Sequence, residues 1–189
     1  MGRLKQLLPL GDKTVLRHSI DTLRESGIGD IVVVCGADPG LYEGTLKNSG
    51  ARLVPNRMPA SEMADSLRLG LEQIDRFASS AVLVCLADHP LVTSGTYGTL
   101  LDLHRRSSGT IIIPAFQGRR GHPSLFPVPI ISEISEKPSL REIVRQDPER
   151  VVVVEVPDEG VVLDLDTEAD YQRAIALFQA RARQHKGDG

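Results

Sequence analysis

Four short polar runs in this 189-residue chain carry side chains able to do chemistry. Asp88-His89-Pro90 directly follows the apolar run Ala81 to Ala87. A carboxylate at the end of a buried strand can hold Mg²⁺, which takes oxygen ligands and keeps waters and substrate phosphates in its shell. Alternatively, Asp88 closes a turn by bonding its own backbone. Gly118-Arg119-Arg120-Gly121-His122-Pro123 is the second run. Its glycines let backbone approach a ligand, its arginines match phosphate oxygens and His122 adds a donor. The bland alternative is a solvated surface loop. Asp164-Leu165-Asp166-Thr167 is the third. If a strand extends that far, alternation puts both aspartates on one face. Asp166 is then a second metal ligand or a partner of the following helix's dipole, and Thr167 is that helix's cap. The fourth is Met1 to Leu10, where Gly2 and Lys5 read as the second half of a phosphate-gripping loop. Taken alone, Lys5 is a solvated lysine. Asn56, after a short strand, is a turn residue or a contact to ribose or phosphate.

The elements that must position these groups alternate in type. Apolar runs at Ile31 to Cys35 and Ala81 to Ala87 read as strands buried on both faces. Shorter strands are expected at Arg52 to Pro55, Thr110 to Ile113, Val151 to Val156 and Val162 to Leu165. Helical spacing is expected at Thr14 to Ser26, Ser61 to Phe77 and Thr93 to Arg106. Asp38-Pro39 offers a cap and first-turn proline, Ser139 to Glu142 a capping box, and Thr167 the start of the last helix. Gln117 to Pro123 reads as a loop. This order predicts a three-layer α/β domain, a mainly parallel sheet with helices on both faces, over residues 1–183. Residues 184–189 read as a polar tail. In such sheets ligands bind at the carboxyl ends of the strands, where the polar runs fall.

Composition narrows the field. The 41% hydrophobic and 25% charged content is that of a globular domain, and a net charge of −3 argues against general nucleic-acid binding. Cys35 and Cys85 sit in apolar runs and read as buried strand cysteines. His18, His104 and His185 are assigned to the surface. With no stretch long enough to span a membrane and no signal-peptide core, the cytoplasm is the expected compartment.

Order and spacing together are more specific than any single run. Met1-Gly2-x-x-Lys5-x-Leu7-Leu8-Pro9-Leu10, Val54-Pro55-Asn56, Ser66-Leu67-x-x-Gly70-Leu71, Leu86 to Leu91, Arg120-Gly121-His122-Pro123 and Asp164 to Thr167 resemble the MobA-like nucleotidyltransferases almost end to end. Asp-His-Pro with Arg-Gly-His-Pro looks like the molybdenum cofactor cytidylyltransferase branch. The resemblance implies a nucleotide-diphospho-sugar transferase-like fold and Mg²⁺-dependent transfer of CMP from CTP to the phosphate of a molybdopterin-type substrate, with pyrophosphate leaving. It implies Asp88 and Asp166 as metal ligands, Lys5 and Asp88 as catalytic groups, Lys5, Asn56 and Ser66 on the nucleotide, and Arg120 and His122 on the acceptor. Molybdoenzymes or their maturation factors are the implied partners.

Two departures from the family pattern stand out. The strand and glycine turn that precede Met-Gly in the family are not in this sequence, and the match of Met1 to an internal methionine points to a start further upstream. Glu62 precedes Met63 where the family usually has glycine, which sets a negative charge beside the expected triphosphate path. The alternatives are a non-catalytic binder of the cofactor or a partner, with a decayed nucleotide site, and guanylyl or sugar-phosphate transfer.

Overall fold

The apolar runs become strands and the amphipathic runs become helices laid over them. The computed structural model describes residues 4–36, 38–58, 62–75 and 77–187. A 3₁₀ turn at Lys5–Leu7 leads to the antiparallel pair β1 (Pro9–Leu10) and β2 (Lys13–Thr14), then α1 (Val15–Glu25). There follow β3 (Val32–Cys35), α2 (Gly40–Leu46), β4 (Arg52–Pro55), α3 (Met63–Leu71), β5 (Ala81–Val84) and α4 (Ser94–Arg106). The second half holds β6 (Ile111–Phe116), β7 (Arg119–Arg120), β8 (Ser124–Pro127), α5 (Val128–Ile131), α6 (Leu140–Gln146), β9 (Val151–Glu155) and α7 (Glu168–Gly187).

The helices start where hydroxyl groups can satisfy their first N–H groups. Thr14 accepts from the Arg17 N–H at 3.2 Å, Thr93 from Thr96 at 3.4 Å and Ser139 from Glu142 at 3.3 Å. Thr167 and Asp170 cap α7 reciprocally: the Thr167 N–H donates to Asp170 Oδ2 and the Asp170 N–H to Thr167 Oγ1. Each such cap is worth about 1 kcal/mol. Helix α7 runs to Gly187, so the segment read as a tail from Gln184 begins inside it. Helix α3 is shorter than the 61–77 reading, and Ser61 lies outside the described residues.

The sheet is mixed. β8 runs antiparallel between β5 and β6, and β9 pairs parallel with β6 in the register Ile111↔Val151. The reason is a hairpin inside the segment read as a loop. Gln117 and Gly118 take positive φ values of 51° and 75°, turning the chain so that β7 folds back on β6. A tight turn can join antiparallel strands only. β3 and β4 form a separate parallel ladder, Val32↔Arg52 to Cys35↔Pro55. Among the described residues β3 shares no ladder with β5, and a cavity of about 300 Å³ is lined by Val32 and Val34 on one side and Val82 on the other. The Val162 to Leu165 strand does not form: a 3₁₀ turn at Glu159–Val162 gives way to extended, unpaired chain. Burial still alternates there, with Leu163 and Leu165 inside and Asp166 exposed.

The core lies on both faces of the sheet. Ile111, Phe126, Ile131 and Ile143 are at most 1% exposed on one side, and Leu16, Ile20, Val156 and Val161 are buried in another cluster. His104, assigned to the surface from sequence, is buried one turn after Leu100 and meets the Ser80 hydroxyl at 3.0 Å. Asp158 is a buried carboxylate that joins distant segments. It accepts from the Thr93 N–H at 2.8 Å, the Thr96 hydroxyl at 2.7 Å and Arg181 of α7 at 2.8 Å. No helix among the described residues is long and apolar enough to cross a membrane.

Candidate functional site

Lys5 is placed by its neighbours. Leu7 and Leu8, just after it, pack into the core clusters and fix the 3₁₀ turn from which it projects. Its Nζ lies 2.6 Å from Asp166 Oδ1. Asp166 faces outward because Leu163 and Leu165 point in. The hydrogen bond with Asp166, and the negative field of Asp88 and Asp164 besides, raise the Lys5 ammonium above its usual range. One cation therefore sits within the field of three carboxylates drawn from two loops.

Asp88 lies just past the end of β5. Its Oδ1 is 3.0 Å from His89 Nδ1. That bond, aided by the charges of His89 and Lys5, outweighs burial and holds Asp88 below the usual carboxylate range. Asp88 is thus an anion at neutral pH. The His89 ring stands edge-on to His122, with centroids 5.4 Å apart. Burial, and repulsion from His89 after it, push the His122 imidazole down, so it is neutral at pH 7. Its Nδ1 is buried without a hydrogen-bond partner among the described residues. Gly121 is required beside it: a Cβ there would collide with the Val161 carbonyl, and the His122 N–H donates to that same oxygen at 2.8 Å.

Asn56, only 5% exposed after β4, is fixed by its own backbone N–H to Cys35 O at 2.7 Å. Its side chain donates to Ser66 Oγ at 3.0 Å and accepts from the Met58 N–H at 3.1 Å. Ser66 also lines the cavity between β3 and β5. Arg120 and His122 line a second cavity, of about 620 Å³, and Met63 and Leu86 belong to both. Glu62 precedes α3 and is exposed, its N–H held by Asp65 Oδ2 at 2.9 Å.

The structure thus brings together Lys5 with Asp166, Asn56 with Ser66, and Asp88 with His122 through His89. Arg120 shares the cavity of His122 and has no ion pair among the described residues. Sequence reading gave no role to His89 or Asp164. Their signal was adjacency, since each lies within two residues of a named aspartate. For a divalent cation the donors are of the right kind, the hard carboxylate oxygens of Asp88 and Asp166. Among the described residues no group of three or more His, Cys, Asp or Glu side chains is arranged to hold a metal by itself.

An α/β sheet with charged groups gathered at strand ends, flanked by two cavities, defines a nucleotide-binding class of domain. Within that class, residues 1–161 match the MobA-like NTP transferase domain, and the chain belongs to this family. It is 28% identical over 182 residues to nicotine blue oxidoreductase of Paenarthrobacter nicotinovorans, covering 90% of this chain and 87% of that protein. Two solved structures share the fold. One is Rv0371c of Mycobacterium tuberculosis in complex with manganese, with a TM-score of 0.74, 23% identity and 93% of each chain covered. The other is CMP:2-keto-3-deoxy-manno-octonic acid synthetase complexed with CTP, with a TM-score of 0.78, 13% identity, and 95% of this chain and 94% of that one covered.

Proposed function

We propose that the chain transfers CMP from CTP to the phosphate of a molybdopterin-type acceptor. An acceptor phosphate oxygen attacks the α-phosphorus, the bond from the α-phosphorus to its bridging oxygen breaks, and pyrophosphate leaves. Such a transfer needs positioning and charge neutralisation more than covalent help. The observation that carries the reading is Lys5 set among Asp88, Asp164 and Asp166, with Asp88 linked through His89 to His122 in the cavity of Arg120. Asp88 and Asp166 would hold Mg²⁺, whose charge offsets that of the triphosphate. Lys5 exchanges Asp166 for a phosphate oxygen as nucleotide enters. Asn56 and Ser66 line the nucleotide side. Neutral His122 and cationic Arg120 hold the acceptor. The reaction belongs with one domain over residues 1–183 and a place among the proteins that mature or receive the molybdenum cofactor.

A second reading rests on the relative named nicotine blue oxidoreductase, whose likeness spans most of both chains. On that reading the same cavities would bind a substrate of that kind together with a separately supplied two-electron carrier, which would give up or take the electrons. Calorimetric titration of CTP, GTP and ATP, with and without Mg²⁺, tests the first reading, followed by pyrophosphate release with molybdopterin. Mg²⁺-dependent binding selective for CTP, with pyrophosphate release, supports it. Selectivity for GTP moves the assignment to guanylyl transfer. Failure to bind any nucleotide removes the transferase reading and favours a binder or a redox enzyme.

A further inference from the structure

The cavity that holds Arg120 and His122 has a wall that no sequence motif predicted. Helix α6 supplies Leu140, Arg141 and Val144 to it, and its N-cap Ser139 lies beside them. Arg141 and Arg120 come from elements far apart in sequence and open into the same space. Neither is paired with a carboxylate among the described residues, whereas Arg68 and Arg150, which anchor the neighbouring segments, are committed. Arg68 donates to the carbonyls of Ile134 and Lys137 and to Asp65. Arg150 forms a forked pair with Glu133 at 2.7 and 2.9 Å. These bonds, with Ile143 fully buried, hold the segment that carries Arg141 in place. Most of the remaining lining is apolar, from Met63, Leu86, Ile113, Phe126, Leu140 and Val144, with Ser124 adding a hydroxyl.

Two unpaired guanidiniums over an apolar floor specify a ligand chemistry. A fully hydrated anion gains nothing from the floor, and a neutral apolar molecule leaves the guanidiniums unused. An anion on an apolar body satisfies both, because removal of water beside the floor strengthens the charged hydrogen bonds. We infer that Arg141 is an acceptor-binding residue that works with Arg120, and that this cavity selects acceptors carrying an anionic group on a flat or bulky apolar body. Its role as an acceptor site rests on the transferase reading. The anion selectivity of the cavity does not.

The test uses the full chain and two dyes of closely similar shape. 8-Anilinonaphthalene-1-sulfonate carries a sulfonate, and N-phenyl-1-naphthylamine is its uncharged counterpart. Saturable binding of each is followed by fluorescence in the native chain, Arg141→Gln, Arg141→Lys and Arg120→Gln. The expected result is an anionic-dye Kd about tenfold weaker in Arg141→Gln and Arg120→Gln, partial retention in Arg141→Lys, and an unchanged Kd for the neutral dye. Equal affinity for the anionic dye in native chain and Arg141→Gln overturns the inference, as does equal loss of both dyes. CTP titration runs alongside. If CTP does not bind while the anionic dye still discriminates, the transferase reading fails and the cavity assignment stands. If CTP binds and the dye does not discriminate, the cavity assignment fails alone. With molybdopterin as acceptor, Arg141→Gln is expected to raise its KM about tenfold, and an unchanged KM overturns the acceptor role.

Discussion

β3 and β8 are both four residues long, yet they are buried in the opposite order to their hydrophobicity. Val32-Val33-Val34-Cys35 is the more apolar, and only Cys35 is buried. Ser124-Leu125-Phe126-Pro127 includes a serine, and all four residues are buried. The difference lies in neighbours. β8 has strands on both sides, β5 and β6, whereas β3 is hydrogen-bonded to β4 and faces a cavity. Burial is conferred by what packs against a segment, and composition supplies only the tendency. The half around β6 and β8 is therefore the stable frame. The half around β3 is more loosely packed, with a cavity along one side of its strand.

The contrast can be attacked most directly at Phe126. Phe126→Ala removes a side chain 1% exposed from the frame and should cost about 3–5 kcal/mol in urea unfolding. A loss below about 1 kcal/mol would dissolve the distinction between the halves. Asp88→Ala should act in the reverse sense, lowering turnover about 100-fold or more while the unfolding midpoint stays within about 1 kcal/mol of the native chain. Normal turnover in that variant would remove Asp88 from the site. Lys5→Met should weaken CTP binding about tenfold by calorimetry, with little change in stability because Lys5 and Asp166 form a partly exposed pair. Val34→Ala, on the cavity side, should cost only about 1 kcal/mol, several times less than Phe126→Ala.

The smallest expected effect is a pH dependence at the boundary between the halves. His122 has its pKa lowered by burial, whereas an unfolded imidazole titrates near about 6.5. Below that pH the unfolded chain binds more protons than the folded one. The contribution of His122 is thus fully present above about pH 6.5 and is lost as pH falls toward the lowered folded value. Urea melts from pH 7.5 to 5 should show this fall, and His122→Gln should flatten it. An identical slope in the variant would place the titration elsewhere.

The sequence displays what depends on one segment and hides what depends on two. The runs Ile31 to Cys35 and Ala81 to Ala87 are legible because a strand that is apolar without alternation has few other uses, although the second is strand only from Ala81 to Val84. The caps at Ser139 and Thr167 are legible because capping is local chemistry, and Thr14 and Thr93, read as first helical residues, turn out to be caps as well. Val162 to Leu165 was expected as a strand, since apolar alternation predicts extended chain correctly but carries no information about a partner. β7 was hidden inside a glycine and arginine run, although Gln117-Gly118 is a plausible hairpin turn when flanked by strands. His104 follows Leu100 by four residues, and that spacing on the buried face of α4 was the unused signal. In the site, motif order named Lys5, Asp166, Asn56 and Ser66 but not their pairing; the Lys5–Asp166 and Asn56–Ser66 contacts come from the fold. Arg141 was invisible because its importance comes from sharing a cavity with Arg120.

Asp158 locks three parts of the fold to one another. Burial raises its pKa, yet the bonds from Thr93, Thr96 and Arg181 hold it below the usual range, so a charge is kept inside by donors from separate elements. Loss of any one of them leaves a buried carboxylate short of a partner, which is costly. The start of α4, helix α7 and the turn that carries Asp158 therefore close as one unit, and loosening one of them loosens the other two.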